Sequence, residues 1–331
     1  MFSYRTLLKQ AWLTAWRHKY LWFLGLFASL VAGSGSWEYQ VVTQNLGQNP
    51  VSGSYAQFEK FLALGDVLQN FFSGLGHLFQ QNFWTILNIF SVLLITATLL
   101  IFFIWLAVTS QAGLVGDVKK ILTAKKTPAN LTIQGSLSEG HKHFWPVLGL
   151  NILIKVLVYC AFFIVGLPLL FMTISDSAIL FGLYILIFII FIPVALSLSL
   201  IIKYAISYNV LENQSFVASL EKGFKLFHKN WLVSLEMAVI LFLTNFLLSG
   251  LVLIAFAIFL LPLLFLGIIF NFYWLIITVL LLAIALVVIF GSFLTTFQIS
   301  SWTNLFLHLK EKGALAKLER LFNRNAADSE K

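Results

Sequence analysis

The sequence predicts an all-α polytopic membrane protein: six transmembrane helices, arranged as three parallel repeats of an amphipathic interfacial helix and a two-span hairpin. Three observations carry that prediction. Of 331 residues, 60% are hydrophobic and only 10% are charged, well under the quarter that soluble domains carry. The apolar residues gather into runs long enough to cross a bilayer, which needs about 20 residues per helix. Finally, a local pattern recurs: "WRHKYLW" at 16–22, "GHKHFWP" at 140–146 and "LFHKNWL" at 226–232. Each places a His-Lys pair and a Trp just ahead of an apolar run.

The runs lie near 20–33 (a short one), 84–109, 145–172, 178–202, 232–266 and 272–300. Basic residues fall on alternate connections. Arg5, Lys9, Arg17 and Lys19 precede the first span, Lys119, Lys120, Lys125, Lys126 and Lys142 follow the second, and Lys203, Lys222, Lys225 and Lys229 follow the fourth. The tail carries Lys310, Lys312, Lys317, Arg320, Arg324 and Lys331. The positive-inside rule then places both termini of this multi-pass chain in the cytoplasm. The net charge of +8 sits beside apolar runs, which points to anionic lipid headgroups as partner and not to nucleic acid.

The first span is short and "GSGS" follows it, features shared with a cleaved signal peptide. A long amphipathic leader argues for retention, with Tyr4, Leu8, Ala11, Trp12 and Ala15 expected on one face. The lone Cys160 lies in an apolar run and reads as a small core hydrophobe.

A shift of 94 residues lays spans three and four over spans five and six. Asn151 falls on Asn245, and "LPLLF" at 167–171 falls on "LPLLF" at 261–265. Upstream, "SLSEG" at 136–140 matches "SLEKG" at 219–223, and "TLLKQ" at 6–10 reads as a divergent third lead-in. The distance from this element to the following His-Lys differs by one helical turn between copies. The repeats are drawn at about 1–120, 131–211 and 215–305, inside a single membrane domain over 1–331. Two-span units all point the same way, so their pseudo-symmetry axis runs along the membrane normal. Pro168 and Pro262 mark helix ends or bends, and Pro193 marks a kink inside span four.

Two segments lie outside the spans. Residues 34–83 form the long outer loop, whose second half, around Phe58, Phe61, Phe71, Phe72 and Phe79, reads as a helix on the outer leaflet. The stretch from Trp302 to Phe322 reads as a basic amphipathic helix on the inner leaflet, with 306–331 as its helix and tail.

For chemistry, Lys155 stands out. It lies about 15 Å along the helix from Trp145, at a depth where charge is costly and usually functional or paired. Glu236 is the available counter-ion. Levelling the copies on their asparagines puts it about 20 Å from Lys155 along the normal, and levelling them on the Trp residues puts it about 7–8 Å away. Asn151 and Asn245 read as interhelical hydrogen-bonding residues. Trp16, His18, Lys19, Trp22, His141, Lys142, Trp145, His228, Lys229 and Trp231 read as interface anchors. The histidines lack the spacing and carboxylate company of a metal site. No catalytic constellation or cofactor motif is present.

The opening "LKQAWLTAWRHKYLWFLGLFASL" resembles that of a group of bacterial six-span proteins. That group is similar to the membrane domain attached to some glycerophosphoryl diester phosphodiesterases. The resemblance extends over the six-span layout through short motifs. The resemblance implies a multi-pass protein of the bacterial plasma membrane, linked to lipids or the envelope. It does not carry over the phosphodiesterase activity, whose soluble domain and metal-binding carboxylates are not in this sequence. The expected function is non-enzymatic binding or sensing of a lipid or amphiphile between repeats. A secondary transporter or ion pathway using Lys155 is the alternative, and a membrane scaffold binding protein partners is the third reading.

Overall fold

The computed structural model describes residues 4–32, 83–124, 131–172 and 178–312. The expected outer-leaflet helix of the 34–83 loop and the tail beyond 312 lie outside the described residues. Everything described is helical or a short connection, with no strand among the described residues. In chain order the helices are α1 (Tyr4–Arg17), α2 (Tyr20–Ala32), α3 (Phe83–Thr123), α4 (Ile133–Lys142) and α5 (Phe144–Met172). They continue with α6 (Ala178–Glu212), α7 (Phe216–Lys229), α8 (Trp231–Ile269) and α9 (Tyr273–Lys312). Five of these, α3, α5, α6, α8 and α9, are long and apolar enough to cross a membrane. The helix α2, at 13 residues, is shorter than a span.

Three short amphipathic helices, α1, α4 and α7, each lead into a more apolar helix across a break of one or two residues. The breaks fall at His18-Lys19, His143 and Asn230. At two of them the same device caps the lead-in. His18 directs its backbone N–H and ring Nδ1 at the Thr14 carbonyl oxygen, both at 3.2 Å. Asn230 donates from its backbone N–H and Nδ2 to the Leu226 carbonyl oxygen, both at 3.1 Å. A side chain that satisfies an orphan carbonyl stops the lead-in helix without exposing its last turn. At the other end of α4, Thr132 Oγ1 accepts from the Gly135 N–H at 3.2 Å, an ordinary N-cap.

The long helices overrun the spans expected from hydropathy. α3 continues to Thr123, α6 to Glu212 and α9 to Lys312. Residues 302–312, expected to begin a separate helix on the leaflet surface, instead continue the last span, with Trp302, Leu305, Phe306 and Leu309 buried. Their apolar side finds protein partners, so no turn is needed before them.

The chain divides into two compact bodies, whose boundaries fall within α3, α5 and α6. The first holds 1–32, 106–148 and 200–331. In it α2 lies on α9, where a Cβ at Gly25 would collide with Thr296 Oγ1, and Thr296 Oγ1 donates to the Leu21 carbonyl oxygen at 3.1 Å. Leu21, Leu24, Leu114 and Val118 form a core with Leu137 and Ile299, which joins α2, α3, α4 and α9. Further along, Leu260, Val279 and Ala283 pack the α8–α9 hairpin. Its turn closes on Asn271 at φ 52, with Phe272 N–H to the Gly267 carbonyl (2.8 Å) and Asn271 N–H to the Ile268 carbonyl (3.2 Å). That is a Schellman ending with asparagine in the left-handed position.

The second body holds 33–105 and 149–199. There Val165, Tyr184, Phe191 and Ala195 pack α5 against α6. Nearly every described residue of α3 up to Ile104 is exposed. Pro193 lies inside α6 as expected, and Pro262 lies inside α8, seven residues before its end. Pro168 lies in the last turns of α5.

Candidate functional site: the clamped lead-in layer and Lys155

The buried faces of the lead-ins are built from small residues: Ser136 and Gly140 in α4, Ser219 and Gly223 in α7, Ala11 and Ala15 beside Leu7 in α1. Small side chains let two helix backbones approach closely. Gly140 faces the Thr109 carbonyl and the Gly113 nitrogen of α3, leaving no room for a Cβ. Gly223 faces α6 in the same way, and a Cβ there would stand 2.9 Å from Ala205 N and 3.0 Å from Ile201 O. α1 lies on α9, where Trp12 meets Phe293 and Phe297 edge-on at 4.8 and 5.6 Å. Each lead-in therefore docks on the extended end of the long helix before it, and the first lead-in docks on the last.

One polar residue of each receiving helix clamps the docked partner. Asp117 of α3, Asn209 of α6 and Asn304 of α9 are 1%, 2% and 4% exposed. Ser136 Oγ of α4 donates to Asp117 Oδ2. Asn209 Nδ2 donates to the Gln214 carbonyl at 2.6 Å, just ahead of α7, and Ser219 Oγ reaches the same carbonyl at 3.4 Å. Asn304 Nδ2 donates to the Leu7 carbonyl at 3.2 Å and to Gln10 Oε1 at 3.1 Å. Further contacts tie the receiving helices together. Lys119 Nζ donates to the Leu211 carbonyl at 2.9 Å and Lys310 pairs with Glu212 at 2.6 Å, cations placed at the negative end of α6. His143 Nδ1 lies 3.2 Å from Asn209 Oδ1, and Lys203 stands over the Trp302 ring at 5.0 Å.

The residues singled out from sequence fall differently. Asn151 and Asn245 are both buried, and both are partnered. Glu236 lies in the second turn of α8 and accepts from Tyr4 Oη of α1 at 2.5 Å, so a lead-in phenol is among its partners. Lys155 is not in a helix core. Val147, Leu150, Asn151, Ile154 and Val158 make the buried stripe of α5, while Lys155 is exposed with Ile152, Val156 and Tyr159. The stripe repeats at three and four residues, and position 155 falls off it. Cys160 is likewise exposed and not a core residue.

Among the expected anchors, Lys19, His141, Lys142, Trp145, His228, Lys229, Trp16 and Trp231 are exposed. His228 is stacked on Phe224 at 6.2 Å and His141 on Phe144 at 6.5 Å. Trp22 differs, because its Nε1 donates to the Ala15 carbonyl at 2.7 Å and fastens α2 back on α1. His18 closes α1. Among the described residues no three His, Cys, Asp or Glu side chains converge.

The leader also turns relative to expectation, since Leu7 and Thr14 are buried where the periodicity places Leu8 and Trp12. Its match to the third lead-in moves by one residue for the same reason, pairing Leu7 and Ala11 with Ser219 and Gly223. Sequence reasoning missed the clamps. Along the chain Asp117 is one charge in a basic connection, and Asn209 and Asn304 lie in helix extensions beyond the expected spans. Their one legible signal is a polar residue four places after a small-residue contact, at Gly113 and Ala205.

No family model, no curated protein and no solved structure matches this chain.

Proposed function

We propose that this chain is a six-span protein of the bacterial plasma membrane, built as three repeat units with both termini cytoplasmic, that binds or senses an anionic lipid or amphiphile. The observation that carries the ligand reading is the exposure of Lys155 beside Tyr159 on an otherwise apolar surface of α5. It lies 11 residues from the helix start, about 17 Å along the axis. A lysine left alone at such depth is costly. An amphiphile complements the surface on both counts, with an anionic head at Nζ and a tail along Ile152 and Val156.

The three docked lead-ins support the repeat reading, since α7 and α1 have equal length and matching caps at Asn230 and His18. The α4 lead-in ends one turn sooner, as the sequence spacing requires. The orientation rests on charge. Arg5, Lys9, Arg17, Lys19, Lys142, Lys222, Lys225 and Lys229 all lie exposed on or beside the lead-ins, and the positive-inside rule assigns such a basic set to the cytoplasm. The resemblance to the phosphodiesterase-linked membrane domain points the same way, towards glycerolipids, without the hydrolytic activity.

The test is photocrosslinking of the full chain in nanodiscs with an acyl-labelled anionic phospholipid. Labelling of 149–172 falls about tenfold in Lys155→Leu and persists in Lys155→Arg, the loss of one charge-assisted contact. Equal labelling of wild type and Lys155→Leu overturns the ligand reading. A Lys155-dependent ion flux in proteoliposomes without such labelling replaces it with the transport reading.

A further inference from the structure

The lead-ins α4 and α7 share nearly the same element, SLSEG and SLEKG, and dock by the same pair, Ser136 and Gly140 against Ser219 and Gly223. What they turn away from their receiving helices differs. In that register Val217 and Phe224 of α7 stand where α4 has Gln134 and His141. Both α7 residues are exposed, at 70% and 55%, and Trp231 follows them across the break at Asn230, at 55%. Positions 217 and 224 are two turns apart and share one side of α7. Lys222, Lys225 and Lys229 recur at three and four residues along a second exposed side. Around the axis of α7, the side docked on α6 gives way to the apolar side, then to His228 stacked on Phe224, then to the basic side.

We propose that α7 is seated on an anionic phospholipid surface, with its apolar side among the acyl chains and its lysines at the phosphates, while α4 stays in water. The proposal rests on the membrane reading above and is independent of Lys155.

Position, charge and size select lipid as the occupant. α7 is joined through the single residue Asn230 to α8, a helix long and apolar enough to cross a membrane, so it lies where a span meets the bilayer boundary. Glu221 takes Lys225 at 2.6 Å, which leaves Lys222 and Lys229 to face an acidic surface. Apolar and lysine-rich sides set next to each other are the pattern of a helix lying in the headgroup plane. At their observed exposures Val217, Phe224 and Trp231 together offer less than about 500 Å², under the roughly 800 Å² per partner that a stable protein interface needs. A second copy of the chain is therefore the poorer fit.

In the other lead-ins the same side is differently used. α4 sets Leu137 against the core of Leu21 and Leu114, with the polar Gln134 and His141 beyond it. In α1 the matching places hold Arg5 and Trp12, and Trp12 is packed on Phe293 and Phe297.

The experiment is fluorescence quenching with the full chain in nanodiscs of mixed phosphatidylglycerol and phosphatidylcholine, in a Cys160→Ser background. A fluorophore is attached at Val217→Cys, at Phe224→Cys, at Gln134→Cys in α4, or at Leu281→Cys on the exposed side of α9. The quenching spin label is carried on the acyl chain of one lipid or the other. Val217→Cys and Phe224→Cys are quenched, about fivefold more effectively by phosphatidylglycerol, the preference one lysine confers at an anionic surface. Lys222→Gln combined with Lys229→Gln removes that preference. Gln134→Cys escapes quenching, and Leu281→Cys is quenched by both lipids alike. If Val217→Cys and Phe224→Cys stay unquenched while Leu281→Cys is quenched, the inference falls and the membrane reading stands. An unquenched Leu281→Cys overturns both. Self-quenching between fluorophores at Phe224→Cys in place of lipid quenching assigns the side to a second copy and overturns the inference. So does quenching of Gln134→Cys as strong as that of Val217→Cys, an equal response to both lipids, or a preference that survives the double lysine variant.

Discussion

Asn304 donates from Nδ2 to the Leu7 carbonyl oxygen at 3.2 Å across 297 residues of sequence, and so joins the last helix to the first. With Thr296 Oγ1 bonded to the Leu21 carbonyl and Trp12 and Trp16 set against Phe293, it closes the circle of lead-ins that α4 on α3 and α7 on α6 begin. Closure of this kind makes α1 and α2 structural parts of the first body.

Retention after cleavage tests that closure. A protease site is placed between 33 and 82, the chain is cut in detergent, and the N-terminal fragment is followed by affinity purification of the remainder. Wild type keeps the fragment bound. Asn304→Ala combined with Thr296→Val, which removes two side-chain donors to α1 and α2 worth about 1 kcal/mol each, releases a measurable share of it. Full retention in the double variant assigns the closure to apolar packing together with the Tyr4–Glu236 bond.

The close backbone approaches predict opposite signs at different glycines. Gly140→Leu and Gly223→Leu force α4 and α7 off their receiving helices, and each lowers the stability measured by detergent thermal melting by about 1–3 kcal/mol. A Cβ at Gly250 would meet nothing within 4 Å. Gly250→Ala therefore leaves the melting point unchanged or raises it, by up to about 1 kcal/mol.

Among the described residues, Glu221 is a carboxyl held down by a surface pair: its hydrogen bond to Lys225 at 2.6 Å keeps it below the usual glutamate range. The sign follows from that direction: any stabilisation is present above the ordinary glutamate value and is lost as pH falls through the lowered one. Because both side chains are exposed, solvent and salt screen the pair. Glu221→Gln should leave the melting curve unchanged at neutral pH, and a clear drop would show that α7 depends on this pair.

Topology is read by cysteine labelling in a Cys160→Ser background. Asn271→Cys, at the α8–α9 turn, is modified by a membrane-impermeant reagent in intact cells. Lys229→Cys, at the end of the α7 lead-in, is modified only after permeabilisation. The reverse pattern inverts the proposed orientation.

Much of this architecture was legible in the residue order, because hydrophobicity and helical period are local properties. The five long helices, the short α2, and the paired SLSEG and SLEKG elements with their one-turn difference could all be read along the chain. So could Pro193 inside a span. What a residue faces was less legible. The sequence places Lys155 at depth in a span, yet its position relative to Asn151 and Ile154 puts it on the exposed side of α5. Likewise Glu236 could be matched with Lys155 on spacing alone, whereas α1 brings Tyr4 to it.

The sequence by itself determined the helices long and apolar enough to cross a membrane and the paired SLSEG and SLEKG elements, since each follows from composition or local pattern. Only the tertiary structure decided which helix each lead-in docks on, that the first docks on the last, and that Asp117, Asn209 and Asn304 hold equivalent places. Those depend on contacts between residues far apart in the chain, and a buried polar residue discloses its role only when its partner is known.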